Sequence, residues 1–325
     1  MVPANTLVFG LTLPQRGVLF GAITSKDLVD LARAADEDPL FDEVWVGDSL
    51  FSKPRPDSIA LLGMLAGVTS RVRLAVGCMA SFPVRDPIVF AYQWATLDVL
   101  SAGRMQLAVC TWIIQGGASA REGEPWGVAD NERAKRMSEN IQICRKLWTG
   151  EPITFDGTWT KFHDLTVRPK PVQDPCPIWI AANPNPKAPV AQTALRRVAR
   201  KADGWMTVEL WPGAFRTLWG MVSKELVEAG KDPATFPNVE YHNVNINEDE
   251  QQAYEESKKF LDAYYGPVFS EPMVRAWTAL GPPEKCIAHI RALRDAGAKA
   301  ITFRITSWDQ RRQYERLTKE VLPFV

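Results

Sequence analysis

Residues 71–111 read RVRLAVGCMASFPVRDPIVFAYQWATLDVLSAGRMQLAVCT. Two apolar runs of strand length, Val72 to Met79 and Met105 to Thr111, bracket a helical stretch from Pro87 to Leu100. Apolar strands on either side of a helix mark a βαβ unit, whose two strands lie parallel in one sheet with the helix covering it. The first strand ends in Gly77-Cys78-Met79-Ala80-Ser81 and leads to Pro83; a glycine at such a place marks a bulge or a close backbone approach.

The same alternation extends both ways. Upstream lie a strand Leu7 to Leu13, a helix from Thr24-Ser25 with Leu28, Val29, Leu31, Ala32 and Ala35 on one face, a strand Val44 to Val46, and a helix from Asp57 to Val68. Downstream come a helix Asn131 to Trp148, strand Ile178 to Ala182, helix Gln192 to Lys201, strand Gly204 to Val208, helix Ala214 to Ala229 and a strand around Val239 to Ile246. Helices Asp249 to Tyr264 and Pro283 to Ala296, strand Ala300 to Ile305 and helix Gln310 to Leu322 complete the chain. Eight strands alternating with helices predict an α/β protein, a closed (β/α)8 TIM barrel.

Eight strands of about 6 residues, eight helices of about 11 and sixteen loops of about 5 account for roughly 216 residues. The chain has 325, so residues 1–325 are expected to form a single barrel domain with insertions at about 112–130, 151–174 and 266–283. The first is Gly-rich and follows a strand's C-terminal end, where barrel active sites are built, which makes it the lid candidate. The second contains a hairpin signal, Ile153 to Trp159; the third is expected to be a loop or short helix.

Composition excludes several function classes. With 38 basic and 38 acidic side chains there is no global attraction to phosphate backbones or anionic lipid, so neither nucleic acid nor membrane is an expected partner. No 18-residue apolar run occurs and the N-terminus lacks a basic n-region, which leads to the expectation of a cytoplasmic protein. Five cysteines (Cys78, Cys110, Cys144, Cys176, Cys286) are odd in number, widely spaced and without a C-x-x-C pair, and are expected to be buried free thiols.

Side chains at the strand C-terminal ends of a barrel converge on one mouth. Here they are Gln15 and Arg16, Asp48 and Ser49, Gly77 to Ser81, Thr111 and Trp112, Asn183 and Asn185, Glu209, Asn245, and Thr306 and Ser307. The set is rich in hydrogen-bonding groups but holds two acids, no histidine and no lysine. His163, His242 and His289 stand at spacings that supply no metal cluster, so no metal is expected and a lysine Schiff base finds no candidate. A polar, aromatic-rich mouth suits a flat ring system, with Trp112, Trp126, Trp159, Trp211 and Trp308 in or near its loops.

Val44-Trp-Val-Gly-Asp-Ser49, Ser70 to Gly77, Asp86-Pro87, Gln93 to Arg104 and Leu107-Ala-Val109 resemble the bacterial luciferase-like flavin-dependent oxidoreductases. So do Glu132-Arg133, Lys135-Arg-Met137, Leu147 to Gly150, Pro169 to Gln173, Pro177 to Ile180, Ala202 to Trp205, Gly281 to Glu284 and Asp295-Ala-Gly297, in family order from about Leu7 to Pro323. The resemblance implies a barrel with reduced FMN or the deazaflavin coenzyme F-420 at its mouth.

Carried over by position, it implies a catalytic pair Asp48 and Ser49, where many deazaflavin-using relatives have His at the second place. It implies cofactor contacts from Gly77, Cys78 and Met79, at a bulge with a non-prolyl cis peptide, and from Thr111, Trp112 and Gly116. Ala181, Ala182 and Asn183 replace a Gly-Gly-Ser-like phosphate turn, with Pro184 and Pro186 removing amides. Arg133 and Arg136 are further candidates for an anion, and Cys110 and Trp112 border the ring.

The expected function is a reduced-FMN-dependent monooxygenase acting on a small organic substrate, with a separate flavin reductase as partner. The alternatives are a coenzyme F-420-dependent hydride-transfer oxidoreductase and a non-catalytic flavin-binding barrel. A homo-oligomer is the expected assembly.

Overall fold

The computed structural model describes residues 7–111 and 120–325. Its elements in chain order begin β1 (Val8–Thr12), α1 (Ser25–Glu37), β2 (Glu43–Asp48), α2 (Ser58–Val68), β3 (Arg73–Met79), α3 (Pro87–Leu100), β4 (Met105–Val109) and α4 (Arg133–Leu147). There follow β5 (Ile153–Asp156), β6 (Lys161–Leu165), β7 (Ile178–Ala181), α5 (Val190–Lys201), β8 (Gly204–Thr207), α6 (Ala214–Glu228) and β9 (Asn238–Ile246). The C-terminal part holds α7 (Glu250–Tyr265), α8 (Glu271–Ala276), β10 (Thr278–Gly281), α9 (Pro283–Asp295), β11 (Ala300–Ile305) and α10 (Gln310–Arg316).

Eight parallel strands close a ring in the order β1, β2, β3, β4, β7, β8, β9, β11 and back to β1. This is the (β/α)8 TIM barrel that the alternation predicts. Strand side chains point alternately in and out. Trp45, Ala75, Ala108, Trp179, Met206, Val239 and Ala300 meet inside the barrel, while Val44, Val46, Leu74, Val76, Leu107 and Val109 pack outward against the helical layer. Local chemistry sets the helix starts that face the mouth: Asp57 and Asp86 accept the first free amides of α2 and α3, at Ile59 and Ala60 and at Ile88 and Val89.

Two expectations need correction. Within 266–283 the chain forms α8 and then β10, which pairs with residues 243–246 of β9, whereas β8 pairs only with residues 238–240 of that strand. One edge of β9 is thus shared between two strands. Four residues are too few for Thr278–Gly281 to show a strand period, so the pattern alone does not reveal it.

The cysteines are not all free. Cys78 and Cys110 form a disulfide between the ends of neighbouring strands β3 and β4, with Cα atoms 5.8 Å apart, while Cys144, Cys176 and Cys286 are buried free thiols. The pairing follows from strand register. Gly77 lies opposite Ala108 and Met79 opposite Val109, and the bulge between them brings Cys78 to Cys110. Burial pushes the thiols of Cys176 and Cys286 up to about 12 and that of Cys144 higher still, which leaves them unreactive.

Candidate active site

The floor of the mouth is built on Trp45. Its indole lies inside the barrel, donates to Glu43 Oε2 at 2.8 Å and fills the space beside Gly77. A Cβ on Gly77 would stand 2.5 Å from the Trp45 ring and 2.6 Å from the Met206 methyl, so only glycine fits. The Gly77-Cys78 peptide is cis, and the strand bulges there. Cys78, Ala181 and Val208 pack against the interior cluster that holds Trp45 and Met206, as do the larger Trp211 and Tyr265.

Asp48 lies 6% exposed at the end of β2. Ser58 Oγ (2.7 Å) and Arg85 Nη2 (3.2 Å) donate to its Oδ1, while the Ser81 amide (2.8 Å) and Ser81 Oγ (2.6 Å) donate to its Oδ2. Both oxygens are therefore engaged, between the starts of α2 and α3. Ser49 Oγ donates to Glu122 Oε2 at 2.8 Å and accepts from the Lys53 amide. Glu122, fully buried, also takes the amides of Leu50, Phe51 and Ser52. It folds the loop after β2 around one carboxylate, and its position in a Gly-rich segment gives no sequence signal of that role.

Thr111 follows β4, and its carbonyl accepts from Arg133 Nη1 at 2.7 Å, which brings Arg133 to the mouth. Arg136 instead pairs with Glu132 and lies over the Trp159 ring. Ala182 bonds through its amide to Met206 and through its carbonyl to Trp205 Nε1, so it is tied to β8; Ala181 lies beside Met206. Asn183 continues into a turn closed by Asn185, whose side chain accepts the Lys187 amide at 2.9 Å. Trp112 and Gly116 lie outside the described residues.

Among the other candidates, Glu209 caps α6 by accepting the Gly213 amide and lines a cavity of about 780 Å³ between α6, α8 and α9. That cavity is also lined by His289, which packs against His242, a residue of β9. Trp308 joins a ring cluster with Phe20 and Phe260, and Trp126 packs on exposed Phe51. Among the described residues no group of three or more His, Cys, Asp or Glu could hold a metal ion.

Opposite the β3–β4–β7 side of the mouth stands a group of cations on two tyrosines. Lys53 Nζ sits 5.0 Å above the Tyr265 ring and the Arg55 guanidinium 5.5 Å from the Tyr264 ring. Arg304, fully buried at the end of β11, lies 4.6 Å from the Tyr264 ring and 4.9 Å from the Tyr265 ring, donates to the Tyr265 hydroxyl at 2.6 Å and grips Asn243 Oδ1 with two nitrogens. Burial alone would push the Tyr265 phenol up, but Arg304, Arg55 and Lys53 together hold it below the usual tyrosine value.

Residues 7–300 match the model of a family described as luciferase-like monooxygenase. The chain belongs to that family. Over its length this luciferase-like protein is 27% identical to the F-420-dependent glucose-6-phosphate dehydrogenase of Nakamurella multipartita, with 91% of each chain covered. It is 24% identical to that of Kineococcus radiotolerans, with 92% of each covered. Among solved structures, an F-420-dependent secondary alcohol dehydrogenase superimposes with a TM-score of 0.81 at 17% identity, over 98% of this chain and 99% of that one. The oxygenating constituent of 3,6-diketocamphane monooxygenase of Pseudomonas putida, in complex with FMN, gives a TM-score of 0.70 at 18% identity over 98% and 99%. At these identities the two structures speak for the shared fold.

Proposed function

We propose that the protein is an oxidoreductase that uses coenzyme F-420 as hydride carrier on a small hydroxyl-bearing substrate. The observation that carries this reading is the end-to-end similarity to F-420-dependent glucose-6-phosphate dehydrogenases. The residues suit the cofactor. A flat ring needs small side chains beside it, and the reading gives that part to Gly77, where Trp45 and Met206 leave no space for a Cβ, and to Cys78, Ala181 and Val208, which pack against the same cluster. The turn at Asn183 to Pro189 and Arg133 at Thr111 are the groups this reading gives to the cofactor's anionic parts.

When bound, the deazaflavin supplies a hydride acceptor or donor. The chain's own part is to place the substrate and handle its proton. Ser49, hydrogen-bonded to Glu122, offers no imidazole at the end of β2. The reading assigns that task to Tyr265: the substrate's hydroxyl proton passes to the Tyr265 oxygen as its hydride leaves, with Arg304 holding the phenolate form ready. Asp48, with four donors already on it, shapes the mouth.

A second reading, reduced FMN as cosubstrate of a monooxygenase with a separate reductase, draws on the family's description and on Ser in place of His at position 49. Side-by-side binding titrations with coenzyme F-420 and FMN separate the two. The proposal expects F-420 to bind at least about tenfold more tightly, a difference of about 1.4 kcal/mol; tighter binding of reduced FMN overturns it.

A further inference from the structure

We propose that Arg16, Lys53 and Arg55 form a docking site for an oxyanion on the substrate, a phosphate monoester or a carboxylate, held against the faces of Tyr264 and Tyr265. The inference rests on the reading above and names the class of substrate for the same mouth.

Cations removed from water need counter-charge; the Tyr265 phenolate supplies one negative charge to Arg16, Lys53, Arg55 and Arg304, and the remaining positive charge is left to a ligand. Lys53 and Arg55 lie over adjacent rings whose centres are 4.9 Å apart, with Arg304 against both. Arg16, just beyond β1, adds its charge to the same group: it and Lys53 are drawn below their ordinary values, first by burial and then by the neighbouring cations. Among the described residues none of the four has a carboxylate oxygen within 4.0 Å. Residues 1–6 and 112–119 contain no Asp or Glu that could supply one.

The nearby acids are committed elsewhere. Glu122 is taken by Ser49 and the amides of residues 50–52, and Glu256 by Asn245, Ser307 and the Trp308 amide. The loop that carries the cations is built to hold them. Lys53-Pro54-Arg55-Pro56 has two prolines, Gln15 Nε2 ties the Pro56 carbonyl, and the Arg55 guanidinium lies against Gly47, where a Cβ would collide with it.

Position separates this group from the cofactor. In the ring order, β11, β1 and β2 carry the cations, whereas the bulge of β3, Thr111 and Ala181 to Asn183 lie along β3, β4 and β7. An anion on the cations faces the ring wall from across the mouth, as a substrate must.

The test titrates the cofactor-free full chain with inorganic phosphate and, in a parallel arm, with acetate, at an ionic strength fixed with sodium chloride. The expected result is saturable binding of at least one anion, the stronger arm naming the head group. Affinity should fall at least about tenfold in the Lys53→Met/Arg55→Gln double variant and several-fold in Arg16→Gln, which serves if the double variant does not fold. Coenzyme F-420 affinity should change less than about threefold in the same variants. Anion affinity unchanged by the substitutions, no saturable binding of either anion, or a parallel fall in F-420 affinity that assigns the cations to the cofactor, would each overturn the proposal. Failure of F-420 to bind the unmodified protein overturns the reading of the cofactor instead, and leaves the anion titration to be judged separately.

Discussion

The Ser49 hydroxyl donates to Glu122 at 2.8 Å across 73 residues of chain. This one contact, with three backbone amides on the same carboxylate, fastens the loop after β2 to the segment that follows β4. Replacing the carboxylate leaves the buried Ser49 hydroxyl without an acceptor, at a cost of about 1–3 kcal/mol, and three part-buried amides with it at a smaller cost. Glu122→Ala is therefore expected to raise amide hydrogen exchange at Leu50, Phe51 and Ser52 by at least about tenfold and to weaken phosphate binding, because Lys53 is carried on that loop. Unchanged exchange at these three amides would show that Glu122 does not organise it.

Asp48 accepts from Ser58, Ser81 and Arg85. An asparagine there keeps the shape but presents an NH2 group to donors and removes the charge that faces Arg85. Asp48→Asn is expected to lose about 1–3 kcal/mol of stability in denaturant unfolding while turnover falls less than about tenfold. A fall of about a hundredfold or more with stability intact would make Asp48 the catalytic acid or base.

Tyr265 carries the proton in the proposed reaction. Tyr265→Phe removes the hydroxyl that Arg304 holds and leaves the ring beneath Lys53. The expected outcome is a fall in kcat of about 10²–10⁴ and loss of the rise in rate with pH that deprotonation of a required base produces, with F-420 affinity retained. A retained kcat and pH profile would remove Tyr265 from the chemistry.

Acid stability depends on the layer between barrel and helices. His242 is fully buried, its two nitrogens have no hydrogen-bond partner among the described residues, and burial and then the neighbouring His289 hold it well below the usual histidine value. A group neutral in the folded state and protonated in the unfolded one contributes stability that is complete above about pH 6.5 and is lost as pH falls toward its folded value. Glu240, 3.5 Å away and pushed well above its ordinary value by burial, acts with the opposite sign, favouring the fold most at low pH. The two are separated by His242→Phe, which should lose less stability than the unmodified chain between about pH 7.5 and about pH 5.5, measured by thermal unfolding. Equal losses would place the acid sensitivity elsewhere.

How far the sequence revealed this molecule differs from element to element. Eight strand-length runs separated by helical stretches are enough for the barrel, because most of the strands are buried on both faces and read as near-continuous apolar runs, while β9 is buried with Glu240, His242, Asn243 and Asn245 in it. β10 escapes because it is four residues long and borrows an edge of β9. The Cys78–Cys110 bridge escapes because it depends on the register of β3 against β4, a three-dimensional relation that residue spacing does not contain. Arg16 stands at a strand end and is found by position. Lys53 and Arg55 sit beyond that zone, in a Lys-Pro-Arg-Pro loop whose alternate prolines are the one local sign of a fixed backbone. Glu122 and Tyr265 gain their roles only from partners far along the chain.

Hydride transfer to a deazaflavin, unlike monooxygenation, needs no oxygen. The direct measurement is the reduction of coenzyme F-420, followed by loss of its absorbance, with the purified full chain under strict exclusion of oxygen, over a panel of alcohols and sugars with and without a phosphate or carboxylate group. The account predicts turnover without oxygen, one F-420 reduced per substrate oxidised, confined to the members that bear the anion. Turnover that requires oxygen together with reduced FMN, with F-420 left unchanged throughout the panel, would contradict it.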